Sequence, residues 1–466
     1  MEYIRLVAGL IAVMLTAGPV TAAETPPNIV LIISDDQAWN HYSFMGHPVI
    51  QTPHLDRLAE RSALFRRGYV PTALCRPSLA TLATGLYAHQ HGITGNDPAK
   101  PAGGDAAEYA QLREALISKI DRVPTLPELL ARSNYLSHQS GKWWEGNFRR
   151  GRFTHGMTRG FPEPGGRHGD DGLKIGRQGL SPVLSFIDDS MGQKKPFFVW
   201  YAPFLPHSPH NPPPRLLEKY TAPNRPVALA RYFAMCEWFD ETCGELLQHI
   251  DDRGITDNTL IVYVTDNGWI QRTPTTKVPN GWPASFAPRS KQSPYEGGVR
   301  TPVMLSWPGH IPPGERDEIV SSIDLFPTML AAAGQDAPAD LPGANLLPIV
   351  EGTKSLKRNT IYGEALAHDV VDLDNPQTSL LHRWVIQDRW KLILTYDGEM
   401  SGRYRPVYSE VERRPQLFDL LQDPHERENL ASRRSDLTTK LAGLIGDWWT
   451  VDQRQVVTLP EVIPDR

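Results

Sequence analysis

The chain has 466 residues, 40% of them hydrophobic and 22% charged, which is ordinary for a globular protein and long enough for one large domain with a smaller attachment. A formal net charge of -5 gives no reason to expect nucleic acid as a partner, and three cysteines exclude a disulfide scaffold. The 42 prolines and 12 tryptophans indicate ordered loops and aromatic surfaces, which suit a loop-built pocket for a polar organic substrate.

The chain opens on a targeting pattern. Arg5 precedes an apolar run from Leu6 to Ala17 that is too short to span a bilayer comfortably. Small-residue cleavage sites follow at Val20-Thr21-Ala22 and Thr21-Ala22-Ala23. Residues 1–23 are therefore expected to be a signal peptide, with the mature chain beginning near Ala23 or Glu24. The mature protein is expected to be exported, periplasmic or secreted, with no membrane span; an uncleaved anchor is the other reading.

Asn28 to Ile33 is a short apolar run without alternation, as in a strand buried on both faces of a parallel sheet. It ends at Asp35 and Asp36, where open α/β sheets place their ligands. Adjacent carboxylates raise each other's pKa, and a hard divalent cation relieves that repulsion through oxygen ligands. A turn with a helix cap is the plainer reading of the pair taken alone. Thr52-Pro53 then opens a predicted helix from His54 to Arg66, with Leu55, Leu58, Ala59 and Leu64 on its apolar face.

The stretch Leu74 to Gly85, LCRPSLATLATG, sets Cys75 at a helix start, with Pro77 in the first turn and Gly85 as a natural stop. Unsatisfied N–H groups and the positive end of the helix dipole there suit an anion or a developing negative charge. A plain loop-to-helix start with a buried Cys is the alternative. Cys-x-Pro-Ser followed by Thr-Gly at this distance resembles the signature of the formylglycine-dependent (type I) sulfatase family, of the alkaline-phosphatase-like superfamily. In that family the Cys is oxidised after synthesis to formylglycine. The family pattern carries Arg directly after the Ser, where this chain has Leu79.

Gly95 to Arg122 is polar and Gly/Ala-rich without strong pattern, and reads as a surface excursion, a lid or pocket wall. Val123 to Arg132 is a capped helix. Gly141-Lys142-Trp143-Trp144 stands where the family reads Gly-Lys-Trp-His, its Lys and His both reaching the sulfate; Lys142 matches and Trp144 replaces the His. The basic, Gly-rich stretch from Asn147 to Gly179, with Arg149, Arg150, Arg152, Arg159, Arg167 and His168, suits part of a substrate rim. Leu180 to Met191 is helical, and Phe197 to Tyr201 is another buried strand. It feeds a Pro-stiffened loop in which His207 matches the family's proton donor to the leaving group, with His210 in reserve.

Ala228 to Asp251 reads as a long amphipathic helix. Cys236 and Cys243 lie seven residues apart on it, ~10 Å along the axis and beyond disulfide reach, so both are expected to stay unpaired. Thr259 to Val264 is a further buried strand, followed by Asp266 and Asn267, which match an Asp-Asn pair in the family's metal site. Lys291 to Pro302 resembles the family's Lys followed by Tyr-Glu-Gly-Gly-x-Arg-x-Pro; Lys291 matches the lysine on sulfate, and Glu296 with Arg300 suits a structural ion pair. From about Ser355 the chain changes to short strands, with a turn at Asp388-Arg389, and a closing helix from Leu437 to Trp449.

The resemblance covers most of the mature chain. It implies a mostly parallel α/β sheet between helices, with a smaller antiparallel sheet plus helix. It divides the chain into a catalytic domain at 24–354 and a C-terminal subdomain at 355–466. It implies hydrolysis of a sulfate ester, of a sulfated carbohydrate by analogy with exported relatives. One Ca2+ would be held by Asp35, Asp36, Asp266, Asn267 and the residue made from Cys75. Asp266 would activate the nucleophile at Cys75, Lys142 and Lys291 would bind sulfate, and His207 would protonate the leaving group. Trp144 removes the family's second base; Glu145, His210 and His155 are unranked candidates to replace it, and Trp144 forming an apolar wall for the substrate is the other reading. The implied partners are a sulfated small molecule or glycan and, during maturation, a formylglycine-generating enzyme. Two other functions stay open: a phosphonate monoester or phosphodiester hydrolase with the same machinery, and an idle member that binds sulfated glycans.

Overall fold

The structure is a computed structural model and describes residues 26–101, 103–269, 289–396 and 414–451. The expected signal peptide lies outside the described residues. A nine-stranded mixed sheet organises the molecule. From one edge its strands are Val320–Ser321, Ala63–Tyr69, Arg300–Ser306, Thr259–Thr265, Asn28–Ser34, Phe197–Ala202, Leu136–Gly141 and His155–Gly156, with Gly314–Arg316 also paired to Ala63–Tyr69. Only Arg300–Ser306 runs against its neighbours.

The central strands read as unbroken apolar runs because each face meets its own core. Ile29, Leu31 and Ile33 enter one cluster together with Phe198, Trp200, Val262 and Leu82. Val30 and Ile32 enter another with Val199, Tyr263, Phe239 and Ile250. Alternating side chains of one strand thus serve two helical layers, which is why period-2 amphipathicity is missing. The helix Val227–Asp252 covers the second face, and Cys236 and Cys243 on it are free and buried.

A four-stranded antiparallel sheet, in the order Thr360–Leu366, Leu380–Gln387, Trp390–Thr395, Gln416–Asp419, follows in the chain, with the helix Ser435–Trp448 packed on it. A buried charge cluster ties it to the large sheet. Lys391 Nζ lies 3.0 Å from both Glu296 and Glu426, and Glu296 also sits 3.5 Å from Arg300. The Glu296–Arg300 pair expected from sequence therefore exists, within a larger network.

Two local expectations are corrected. The helix predicted from His54 to Arg66 spans Pro53–Glu60, and Ala63–Tyr69 is strand. Leu64 fits the helical period, but Ala63, Leu64 and Phe65 pair with Leu305, Met304 and Val303, so sheet pairing overrides a local pattern. The patternless stretch Gly95 to Arg122 holds a helix at Ala106–Ile117. Asp105 caps it, accepting from Ala107 N at 2.8 Å, and Glu108 stands in its first turn. Its buried side is small, limited to Arg113, Leu116 and Ile117, which is why apolar periodicity does not reveal it.

Candidate functional site

Strand direction assembles the site. The C-terminal ends of Asn28–Ser34, Leu136–Gly141, Phe197–Ala202 and Thr259–Thr265 share one edge, because all four run parallel. Asp35 and Asp36, Lys142, Phe204 and His207, and Asp266 and Asn267 follow directly. Arg300–Ser306 runs the other way, so the loop before it, carrying Lys291, starts from the same edge. Ala63–Tyr69 runs against Arg300–Ser306 and so delivers the helix Cys75–Thr84 there too.

The polar atoms converge on Asp36. Its backbone is left-handed, with φ 60°, and its N–H donates to Asp266 Oδ1 at 3.0 Å. Asp36 Oδ1 accepts from Asn267 Nδ2 at 2.6 Å and from Lys291 Nζ at 2.6 Å. Lys291 Nζ also lies 2.9 Å from Cys75 Sγ, and that sulfur is 3.8 Å from Asp36 Oδ1. His207 Nε2 sits 3.4 Å from Asp36 Oδ2, while its Nδ1 is 2.6 Å from the Ser208 carbonyl. Lys142 Nζ donates to Asp35 Oδ1 at 2.7 Å. Gly268 lets the Asp266 and Lys291 loops meet: a Cβ there would lie 1.7 Å from Gly297 O.

Three oxygens of this cluster are buried without a hydrogen-bond partner among the described residues: Asp35 Oδ2, Asp266 Oδ2 and Asn267 Oδ1. Orphaned buried carboxylate oxygens are costly, and a hard cation satisfies them. Asp35, Asp36, Cys75 and His207 also bring one ligand-capable atom each within 4.8 Å of one another. The donor set therefore fits a divalent cation held by oxygen.

Electrostatics separates the carboxylates. Burial pushes Asp35 well above the usual carboxylate range and raises Asp266 as well. Against burial, Lys291, His207 and Lys142 hold Asp36 below that range. Burial pushes the Cys75 thiol up to about 12, although Lys142 and Lys291 oppose it. An unmodified Cys75 is thus a neutral thiol near pH 7, a poor nucleophile.

A family profile described as Sulfatase matches residues 27–335, and one described as N-sulphoglucosamine sulphohydrolase, C-terminal, matches residues 289–444. Bovine (Bos taurus) arylsulfatase A is 30% identical, the match covering 88% of this chain and 84% of that protein. The chain belongs to the sulfatase family. Dog (Canis lupus familiaris) N-acetylgalactosamine-6-sulfatase is 29% identical, with 90% of this chain and 84% of that protein covered. The crystal structure of Ps i-CgsB superposes with a TM-score of 0.68 over 91% of this chain and 93% of that one, at 23% identity, and shares the fold. The chain is a sulfuric ester hydrolase of alkaline-phosphatase-like fold.

This sulfatase gathers eight of the residues singled out from sequence: Asp35, Asp36, Cys75, Lys142, His207, Asp266, Asn267 and Lys291. Its two departures from the family pattern are also explained locally. Leu79 is 3% exposed and packs within the apolar core. Trp144 is buried beneath Arg167, whose guanidinium lies 4.9 Å from the ring centroid, and is not an open wall.

The candidate replacements for the missing histidine fare differently. Glu145 is not a free base: Arg76 grips it through Nε (2.7 Å) and Nη2 (2.6 Å), both side chains buried. His155 is exposed on the edge strand, packed on Phe186, away from the cluster. His210 lies near Tyr232, its ring centroid 5.5 Å from that of Tyr232. Of the basic stretch, Arg150 pairs with Glu114 and Asp121, and Arg159 with Glu163 and Asp171, whereas Arg167, His168 and Arg177 approach the site, Arg177 Nη2 donating to the Phe204 carbonyl at 2.8 Å and the His207 carbonyl at 2.9 Å. Phe204 has no sequence signal of its own, yet it is the common floor. His207 stacks on it at 4.2 Å, Lys142 Nζ lies 5.3 Å from it and His168 meets it edge-on at 5.2 Å.

Proposed function

We propose that this sulfatase hydrolyses a sulfate ester of a carbohydrate, using formylglycine made from Cys75 and one bound Ca2+. The observation that carries the reading is the convergence, around position 75, of two buried lysines with three orphaned carboxylate or amide oxygens. Asp35, Asp36, Asp266 and Asn267 would hold the cation, together with the oxygen at position 75. The cation supplies charge neutralisation of a sulfate oxygen, and the formylglycine hydrate supplies a nucleophilic hydroxyl plus a second one through which sulfate is released.

The remaining chemistry belongs to the chain. Lys142 and Lys291 offer fixed positive charge to the sulfate oxygens as charge develops on them. Asp266 accepts the proton of the attacking hydroxyl. His207, with Nδ1–H held by the Ser208 carbonyl, would carry a second proton on Nε2 beside Asp36 and donate that proton to the leaving oxygen. Relatives named N-acetylgalactosamine-6-sulfatase support a sulfated sugar as the substrate class. The reading keeps 24–354 as catalytic domain, 355–466 as subdomain, and export directed by residues 1–23. No helix among the described residues is long and apolar enough to cross a membrane.

The test is a comparison of para-nitrophenyl sulfate with bis-para-nitrophenyl phosphate and a phenylphosphonate monoester. With Cys75 converted and Ca2+ present, kcat/KM for the sulfate is expected to exceed the others by at least about tenfold. The reverse order would make the chain a phosphonate monoester or phosphodiester hydrolase. Binding of sulfated glycan with no turnover would make it an idle binding member.

A further inference from the structure

Resting on the sulfatase reading above, we propose that His168 is the proton acceptor for sulfate release, in place of the histidine whose position Trp144 occupies. His168 stands 26 residues beyond Lys142 in the chain, so folding brings it to the cluster. Its ring centroid is 5.2 Å from Trp144 and 5.2 Å from Phe204. Phe204 stacks on the other histidine, His207, at 4.2 Å, and Lys142 Nζ lies 5.3 Å from it. Two imidazoles therefore meet one aromatic ring beside the sulfate-binding lysine. His207 is committed, with Nδ1 on a carbonyl and Nε2 facing Asp36. His168 Nδ1 is buried with no hydrogen-bond partner among the described residues.

The backbone holds His168 in place. Its carbonyl accepts from Trp143 N at 3.3 Å, and the Gly169 carbonyl accepts from Thr158 Oγ1 at 3.2 Å. Gly169 has φ 137°, and a Cβ there would lie 2.7 Å from Gly141 O. The loop is thus docked on the strand end that carries Lys142 and Trp144. Of the alternatives, Glu145 is locked by Arg76 and His155 is remote, while His210 stands against Tyr232.

Charge supports the role. Burial, then Lys142, Arg167 and Lys291, pull His168 down to about 3, with Asp97 opposing. The free imidazole is therefore neutral near pH 7 and carries no second proton to lose first. Bound sulfate would offset Lys142 and Lys291, the same charges that depress it, and so raise its proton affinity when the step requires it. In that step the proton of the second hydroxyl at position 75 passes to His168 Nδ1. The electron pair left behind closes the C=O bond, and the C–O bond to sulfate breaks with its pair leaving on sulfate. The imidazolium then returns its proton to water.

The test uses His168→Ala and His168→Gln with position 75 converted, both checked for native melting. Rapid mixing with para-nitrophenyl sulfate should keep the first burst of para-nitrophenol, while steady-state turnover falls by about 100-fold or more. The peptide containing position 75 should then carry the mass of retained sulfate, and added imidazole should speed turnover of His168→Ala. His168→Gln carries the same test if His168→Ala does not fold. Equal loss of burst and steady state, or unchanged turnover with no retained sulfate, would overturn the assignment. Failure of wild-type protein to turn over any sulfate ester would instead overturn the function on which it rests.

Discussion

Cys75→Ala is expected to lower kcat/KM on a sulfate ester by at least about 10,000-fold while the fold stays native. The two halves of this expectation have separate causes. On the proposed mechanism, alanine has no route to an aldehyde, so the hydroxyls that the lysines and Asp266 would serve are never made. Structurally, Cys75 occupies the first turn of the helix Cys75–Thr84, is 1% exposed, and contributes one sulfur atom to the packing. Removing that atom leaves a small void, worth roughly 1 kcal/mol, and alanine is the best helix former. Lys291 keeps its contact with Asp36 at 2.6 Å, so no buried ammonium is stranded. Parallel melting curves and aryl sulfate assays check both halves. A folded variant retaining more than about a tenth of wild-type activity would remove position 75 from the chemistry.

Chelation should produce the second largest effect. Without a cation, the orphaned oxygens of Asp35, Asp266 and Asn267 have nothing to meet, and burial pushes Asp35 and Asp266 upward. A metal that polarises the reacting oxygen contributes several kcal/mol, so turnover should fall by about 1,000-fold, with recovery on adding Ca2+. Melting temperature should fall with it, because a ligand that binds only the folded state stabilises it by mass action. Asp36→Ala should show the same loss without recovery. Its carboxylate also receives Lys291, Asn267 and His207, so this variant should melt lower than the chelated wild type. Full activity after exhaustive chelation, verified by metal analysis, would remove the cation from the account.

Legibility of the site followed how local each signal was. Asp35, Asp36, Asp266 and Asn267 end short apolar strands, so sequence alone puts them at one sheet edge. Cys75 and Lys291 were readable from the residues around them. His168 was legible only as part of a basic rim stretch and Phe204 not at all, because their meeting depends on a docked loop and a shared ring rather than on spacing. The Arg76–Glu145 pair joins residues 69 apart, and no local pattern connects them. In the fold, the strands buried on both faces were legible for the same reason that the helix end near Glu60 was not. Apolar runs report burial directly, whereas the switch from helix to strand at Ala63 is decided by pairing with Val303 to Leu305. The Asp105 cap with Glu108 was a readable start for the helix that apolar periodicity conceals.

The central claim is that Cys75 becomes the aldehyde that the surrounding charges are arranged to serve. Peptide mass spectrometry of the Cys75 region, on protein that turns over para-nitrophenyl sulfate, tests it most directly. Formylglycine or its hydrate at position 75, rising in proportion to activity across preparations, is the predicted result. An intact thiol in fully active protein would contradict it.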